Sequence, residues 1–382
     1  MSGQNDEAAP ERGAKPAPLS GAASEGVGSS AAGSVKGDVP YDVLGWIDQE
    51  RYSETANFPV ERGYFWTSLA SVENGNPLFW DDAVADELTG GPIAPPTTLS
   101  LWFRPHAWEP GQTTQRLPLQ VHFDLKERLG LPEAVMTDNE VVFHTPVRPG
   151  DVISMSQVLR SVSDPKTTKL GTGRFWMIDV DYRNQDGDQV GVEIFTGFGY
   201  QRAENPSTTS TRAADRPRPE LVEGELPTLR YPVTATTVVL GALATRDWRP
   251  MHHDVDFAVN RNGTRDIFLN TPNQQAWFER FVTDWSGPRG RLGRLQFRMI
   301  DSIYPQDLMT VTGRVTDDTT DATGCRWATV AIQVWGTDTR DGTVGAETDA
   351  DARLCTTATV RIALPSTPDD NPWRRTGDQW QP

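Results

Sequence analysis

Six consecutive residues carry the sharpest chemical signal in the chain: Asp247-Trp248-Arg249-Pro250-Met251-His252. A carboxylate and an imidazole five positions apart do not share a helix face. Pro250, however, fixes its own φ and pushes Arg249 towards extended geometry, so the segment reads as a bent loop that aims both side chains into one pocket. Histidine titrates near neutral pH, and a nearby carboxylate sets its tautomer and stabilises its protonated form. Such a pair suits general acid–base handling of water, worth about two to four orders of magnitude in rate. The plainer alternatives are an Asx-turn or helix cap for Asp247 and a satisfied, partly buried histidine for His252. Position weighs against both alternatives, because the pair lies just upstream of a capped helix and an earlier copy of the surrounding pattern lacks it.

Other reactive side chains form no comparable set. His253, Asp254 and Asp256 follow the pair and resemble a metal cluster, but adjacent histidines in a bent loop diverge and Asp256 suits the cap of segment 257–261, so no metal site is expected. His106, His122 and His144 have no acid partner at a recognisable spacing and read as structural. Cys325 and Cys355 lack the neighbours that a zinc site or disulfide framework requires. The chain has no Gly-x-Ser-x-Gly elbow and no glycine-rich phosphate loop after a strand.

The elements around the pair occur twice. Asn74-Gly75-Asn76-Pro77-Leu78-Phe79-Trp80-Asp81 in the first block matches Asp247 to Asp254 in the second, each centred on a proline. Beyond each lies an isoleucine (Ile93, Ile267) leading into a helix start, Pro95-Pro96-Thr97 and Thr271-Pro272. Thr271 as N-cap with Pro272 at the first helical position predicts a helix over 272–285. Its apolar stripe is Trp277, Phe278, Phe281, Val282 and Trp285. Period-two runs then predict strands: Trp176, Ile178, Val180 and Tyr182 on one face of 174–183, and Ala328, Val330, Ile332 and Val334 on one face of 327–335. Asp186-Gly187 and Asp341-Gly342 read as hairpin turns, and Pro149-Gly150-Asp151 and Pro305-Gln306-Asp307 as matched turns into strands. Each block is therefore α+β, one buried helix with a largely antiparallel sheet.

The 382 residues comprise 36 Lys+Arg against 52 Asp+Glu, a formal net charge of −16 that attracts neither nucleic acid nor an anionic membrane surface. With 37% hydrophobic residues and thirteen tryptophans the chain can build a core, so wholesale disorder is excluded. Residues 1–38 read as a disordered Gly/Ala/Ser/Pro tail, 203–230 as a Pro-interrupted linker and 365–382 as a polar tail onto whose surface Trp373 and Trp380 could fold. Blocks 39–202 and 231–364 remain. No apolar run is long enough to span a bilayer, and a cytoplasmic location is expected.

These residues resemble the MaoC-like (R)-specific enoyl-CoA hydratases and dehydratases, whose hotdog domains carry a D-x-N-P-[LIV]-H signature; here it reads Asp247-x-Arg249-Pro250-Met251-His252. The resemblance extends through Ile267-Phe268-Leu269-Asn270-Thr271 and, more loosely, over both blocks. It implies a double hotdog, with a catalytic domain at 231–364 and a degenerate one at 39–202, where Asn74 and Phe79 replace the acid and the base. It also implies that Asp247 and His252 orient one water for syn addition across the C2=C3 bond of an enoyl-CoA thioester, or for the reverse dehydration. A backbone N–H at the start of the central helix, at about Asn270 with Leu269 and Thr271 as neighbours, would stabilise the enolate. Two departures bear on substrate range: Arg249 stands for the signature Asn, and Thr245-Arg246 for small residues before the Asp. Arg246 or Arg249 would then contact a CoA phosphate, or remain a solvated arginine. Phe79 would help shape a tunnel for a bulky acyl group. No cofactor is implied, since the CoA thioester is the substrate; a homodimer or hetero-oligomer is. A hotdog thioesterase and a non-catalytic acyl-CoA-binding or partner-stabilising subunit are the alternatives.

Overall fold

The computed structural model of the protein describes residues 38–111, 119–168, 170–202, 226–340 and 352–382. The expected N-terminal tail up to residue 37, linker residues 203–225 and the Asp341-Gly342 turn lie outside the described residues.

The first half contributes strands β1 (Glu50–Thr55), β2 (Glu133–Phe143), β3 (Ser154–Val162), β4 (Lys166–Thr168), β5 (Gly171–Arg183) and β6 (Gln189–Gln201). Its helices are α1 (Tyr41–Leu44), α2 (Arg62–Ser71), α3 (Pro77–Trp80), α4 (Asp82–Thr89) and α5 (Gln120–Arg128). The second half contributes β7 (Leu229–Pro232), β8 (Arg291–Met299), β9 (Asp307–Thr320), β10 (Arg326–Asp338) and β11 (Arg353–Leu364), with α6 (Ala235–Ala244), α7 (Val255–Asn260) and α8 (Thr271–Ser286). β7 begins inside the segment expected to be linker.

The antiparallel order β1-β3-β5-β6-β2 in one half repeats as β7-β9-β10-β11-β8 in the other. β2 and β8 pair antiparallel from Asn139↔Phe297 to Val142↔Arg294, which merges the halves into one sheet. Each half thereby covers an edge that would otherwise template non-native pairing. The alternation read from the sequence places Trp176, Ile178, Val180 and Tyr182 in the core, and likewise Ala328, Val330, Ile332 and Val334. Burying each large apolar side chain is worth about 1.5–3 kcal/mol. The matched turns reverse the chain through Gly150 (φ 93°) and Gln306 (φ 67°).

The C-terminal segment folds back. Trp373 and Trp380 are buried, and their indole N–H groups donate to Pro288 O (3.0 Å) and Phe143 O (2.8 Å). Between the rings lies Arg291 of β8, with its guanidinium carbon 3.5 Å from the Trp380 ring centroid and one nitrogen donating to His144 O at 2.7 Å. These groups pin the tail across the β2–β8 junction.

The halves differ in the element that crosses the sheet. In the second, α8 runs unbroken for 16 residues. In the first, where a comparable helix was expected after Pro96, a 3-10 segment spans Pro96–Phe103 and stops at Arg104, which is extended (φ −77°, ψ 126°). Pro105 explains the break, because it offers no N–H and drives the residue before it out of helical geometry. The N-cap of α8 also differs from expectation: Asn270 holds it, with Thr271 and Pro272 inside the first turn.

Candidate active site

α6 opens with a reciprocal capping box, Thr237 N–H donating to Thr234 Oγ1 and Thr234 N–H to Thr237 Oγ1, both at 3.1 Å. Gly241 lets it approach α8, since a Cβ there would stand 2.6 Å from the Asn273 side chain. Past Ala244 the chain reverses through Arg246, left-handed at φ 50°, and Asp247 N–H returns to Ala242 O at 2.9 Å. Pro250 then opens a 3-10 turn, Pro250–His252. The turn carries the imidazole back towards the carboxylate, with His252 Nε2 lying 3.7 Å from Asp247 Oδ2.

That separation is too long for a direct hydrogen bond and is one that a single water donating to both groups would bridge. His252 Nδ1 sits 2.8 Å from Phe268 O. A carbonyl only accepts, so Nδ1 carries the proton and Nε2 presents its lone pair. Asp247 is anchored by Asn270, whose amide Nδ2 donates to Asp247 Oδ2 (3.1 Å) and to Thr245 Oγ1 (2.7 Å). Because Asn270 is the N-cap of α8, the acid–base pair and a helix N-terminus meet through one side chain.

The pair is enclosed, Asp247 being 8% and His252 5% exposed. Burial pushes the His252 pKa below 6.5, against opposition from Asp247 and the Phe268 carbonyl. Burial alone would raise Asp247, but the charges of Arg104, His252 and Arg249, with the Asn270 hydrogen bond, outweigh it and leave the carboxyl below its usual value. At neutral pH the pair is a carboxylate facing a neutral imidazole, two acceptors ready for one water.

The remaining predicted residues sit as follows. Arg249 is exposed beside the pair. Arg246, expected at a CoA phosphate, is instead 3% exposed, its guanidinium carbon 4.0 Å from the Phe58 ring centroid and 4.3 Å from that of Tyr64. Enclosed between two rings of the other half, it reaches no phosphate without unpacking them. Leu269 N–H donates to Ile303 O at 3.0 Å, which leaves Asn270 and Thr271 of the three expected backbone donors. Thr271 is half-buried at the start of α8. α7 is capped by Asp254, whose Oδ1 accepts from Phe257 N at 3.0 Å, and not by the expected Asp256.

The first copy reproduces the backbone without the chemistry. Glu73 is left-handed (φ 51°) where Arg246 is. Asn74 Oδ1 accepts from Asn76 N–H at 3.0 Å, and Phe79 is buried in the core. A cleft of about 710 Å³ opens there, lined by Glu73, Asn74, Trp80 and Asp82 among others. It contains no imidazole, so the volume does not coincide with the chemistry. His122 accepts from Trp176 Nε1 at 3.2 Å, and burial pulls it down to about 4. It is neutral and structural.

Sequence reasoning missed the polar side of α8. Asn273, Gln275 and Glu279 are buried among groups of the first half. Glu279 accepts from the Thr97 N–H and hydroxyl, and burial pushes it up to about 7. Gln275 Nε2 donates to Asn139 Oδ1 (3.1 Å) and approaches Glu193. The only available signal was the run of polar residues interrupting the apolar stripe.

The chain is similar to several known proteins. A family profile described as "FAS1-like, dehydratase domain region" matches residues 50–192. The 3-oxo-4,17-pregnadiene-20-carboxyl-CoA hydratase beta subunit of Mycobacterium tuberculosis is 38% identical over 96 residues, 25% of this chain and 74% of that protein. A probable enoyl-CoA hydratase alpha subunit of Thermomonospora curvata is 27% identical over 177 residues, 46% of this chain and 54% of that protein. Among solved structures, a MaoC-like dehydratase superposes with a TM-score of 0.58 at 15% identity, covering 84% of this chain and 98% of its own. A Mycobacterium tuberculosis protein described as having a double hotdog fold gives 0.53 at 12% identity, covering 82% and 96%.

Proposed function

Because the chain belongs to the MaoC-like hydratase/dehydratase family in its double-hotdog form, we propose that it adds water reversibly across the C2=C3 bond of an enoyl-CoA thioester, with Asp247 and His252 as the acid–base pair. The observation that carries this reading is the 3.7 Å approach of His252 Nε2 to Asp247 Oδ2 at the N-terminus of α8. Water held by both acceptors loses one proton to the pair as its oxygen bonds to C3. The C2=C3 electrons move onto the thioester oxygen, where the backbone N–H groups of Asn270 and Thr271 receive the charge. The pair then returns the proton to C2, so one molecule of water is consumed and the pair is restored. Dehydration is the same path reversed.

The substrate is a bulky enoyl-CoA. Two observations support this: the first half carries no second pair, and its crossing helix is broken at Pro105. The named substrate of the M. tuberculosis relative, a pregnadiene-carboxyl-CoA, belongs to that class. Exposed Arg249, beside the pair, is proposed to meet a CoA phosphate. The curated relatives are alpha and beta subunits, and this chain is proposed to work as a homodimer or hetero-oligomer.

Crotonyl-CoA and a ring-bearing enoyl-CoA separate the readings when enoyl absorbance and free thiol are followed together. Loss of absorbance without thiol, faster for the ring-bearing substrate, is the expected result. Thiol release without hydration would establish a thioesterase, and binding without turnover a non-catalytic subunit.

A further inference from the structure

The turn that leads into Asp247 has the same backbone in both halves and a different use in each. Arg246 (φ 50°) and Glu73 (φ 51°) are both left-handed, a conformation that strains any residue with a Cβ. Glu73 presents a mostly exposed carboxylate, which accepts from Tyr231 OH of the second half at 3.1 Å. Arg246 is instead sunk into the first half, its guanidinium carbon 4.0 Å from the Phe58 ring centroid and 4.3 Å from that of Tyr64. Its Nε and Nη1 are buried without a hydrogen-bond acceptor among the described residues, which leaves the two ring faces to stabilise the enclosed charge. Strain and bare donors together persist only where the surroundings over-determine a side chain.

Two further contacts hold the same stretch of chain. Tyr64 OH donates to Leu243 O at 2.9 Å, and Trp248 Nε1 donates to Pro105 O at 2.8 Å. The first half therefore grips the chain on both sides of Asp247, at residues 243 and 246 before it and 248 after it. Within the second half, Asp247 itself is held by its N–H bond to Ala242 O (2.9 Å) and by the Asn270 amide (3.1 Å). The 3.7 Å approach of Asp247 to His252 depends on where that turn lies.

We infer that Arg246 is a positioning residue of the active site: clamped between Phe58 and Tyr64, it fixes the turn that carries Asp247 against the half that has no acid–base pair. This role rests on the hydratase reading above and makes the first half a geometric component of the site. Arg246 adjoins Asp247 in the chain, and a misplacement of about 1 Å at a reacting group can cost about a hundredfold in rate. Because the guanidinium is enclosed, it acts through Asp247 without touching substrate, so its loss falls on kcat and spares KM.

The test uses the full chain and two readouts. Hydrogen-exchange mass spectrometry follows the backbone amides of Arg246 and Asp247, which donate to Leu243 O and Ala242 O in the intact turn, and enoyl-CoA hydration gives kcat and KM. Arg246→Met removes the charge from between the rings; exchange at these amides should quicken about tenfold or more while β10 is unchanged. The same variant should lower kcat about tenfold or more with KM little changed. Arg246→Lys returns a cation to the rings and should recover most of both. Phe58→Leu/Tyr64→Leu opens the clamp from the other half and serves should Arg246→Met not fold; the same two changes are expected. Adding Arg246→Met to that pair should cost little more, since both remove one contact. Unchanged exchange, parental kcat, no recovery in Arg246→Lys, or fully multiplicative losses in the combined variant overturns the inference. Full activity in Asp247→Asn overturns the hydratase reading instead, while exchange still decides whether the clamp holds the turn, so the two failures are distinguishable.

Discussion

Replacing Asp247 by Asn removes one proton acceptor and almost nothing else, because the amide is isosteric with the carboxylate. Proton transfer by a positioned side chain supplies about two to four orders of magnitude, or about 3–5 kcal/mol of barrier at 1.36 kcal/mol per tenfold. The fold loses far less. Asn270 Nδ2, now 3.1 Å from Asp247 Oδ2, can donate to the new amide oxygen, so a charge-assisted bond becomes a neutral one at a cost of about 1 kcal/mol. In a domain of this size 1 kcal/mol moves Tm by about 2–4 °C. Initial rates of enoyl-thioester hydration should therefore fall at least 100-fold, while the circular-dichroism melt moves by only a few degrees. A variant within tenfold of wild type would refute the assignment of Asp247. A collapse of the melt would show that the carboxylate serves the fold and not the reaction.

His252→Ala should reduce kcat by a similar factor; in the parent enzyme, since burial lowers the His252 pKa from its ordinary 6.5, the acid limb of kcat/KM should be centred below pH 6.5. An acid limb centred above 6.5 would contradict a neutral base. Asn270→Ala keeps the backbone N–H of the helix start and deletes the amide that anchors Asp247 and Thr245; losing a bond to a charged group, about 1.5–3 kcal/mol, should lower kcat roughly tenfold to a hundredfold, and unchanged turnover would show that the anchor is dispensable. Glu279, raised to about 7 against an ordinary 4.5, holds its proton in the folded state after the unfolded chain has lost it. Its contribution is complete below pH 4.5 and disappears as pH rises through about 7, so denaturation midpoints of the parent should fall across that interval, and the slope should vanish in Glu279→Gln. A slope retained in that variant would assign it to another group.

Much of the architecture could be read from local signals. Alternation of apolar residues in 174–183 and 327–335 marked the buried faces of β5 and β10, because side chains on a strand can only alternate. The proline-centred repeat was legible for a similar reason: Pro77 and Pro250 fix backbone angles wherever they occur, and both open short helical turns. The helix boundary was misjudged by one residue. Asn270 takes the N-cap position without a side-chain cap, because its amide is directed to Asp247 and Thr245, which are remote in sequence.

The spacing of Asp247, Pro250 and His252 by itself determined which groups could exchange a proton, since a proline-bent loop of that length constrains where its two ends can point. What only the tertiary structure decided is the state of those groups. The enclosure of Arg246 between Phe58 and Tyr64, the Phe268 carbonyl that selects the His252 tautomer, and the bond from the Trp248 indole to the Pro105 carbonyl all join residues from separate segments. Burial and charge act through space, and the distances through which they act exist only once the chain has folded.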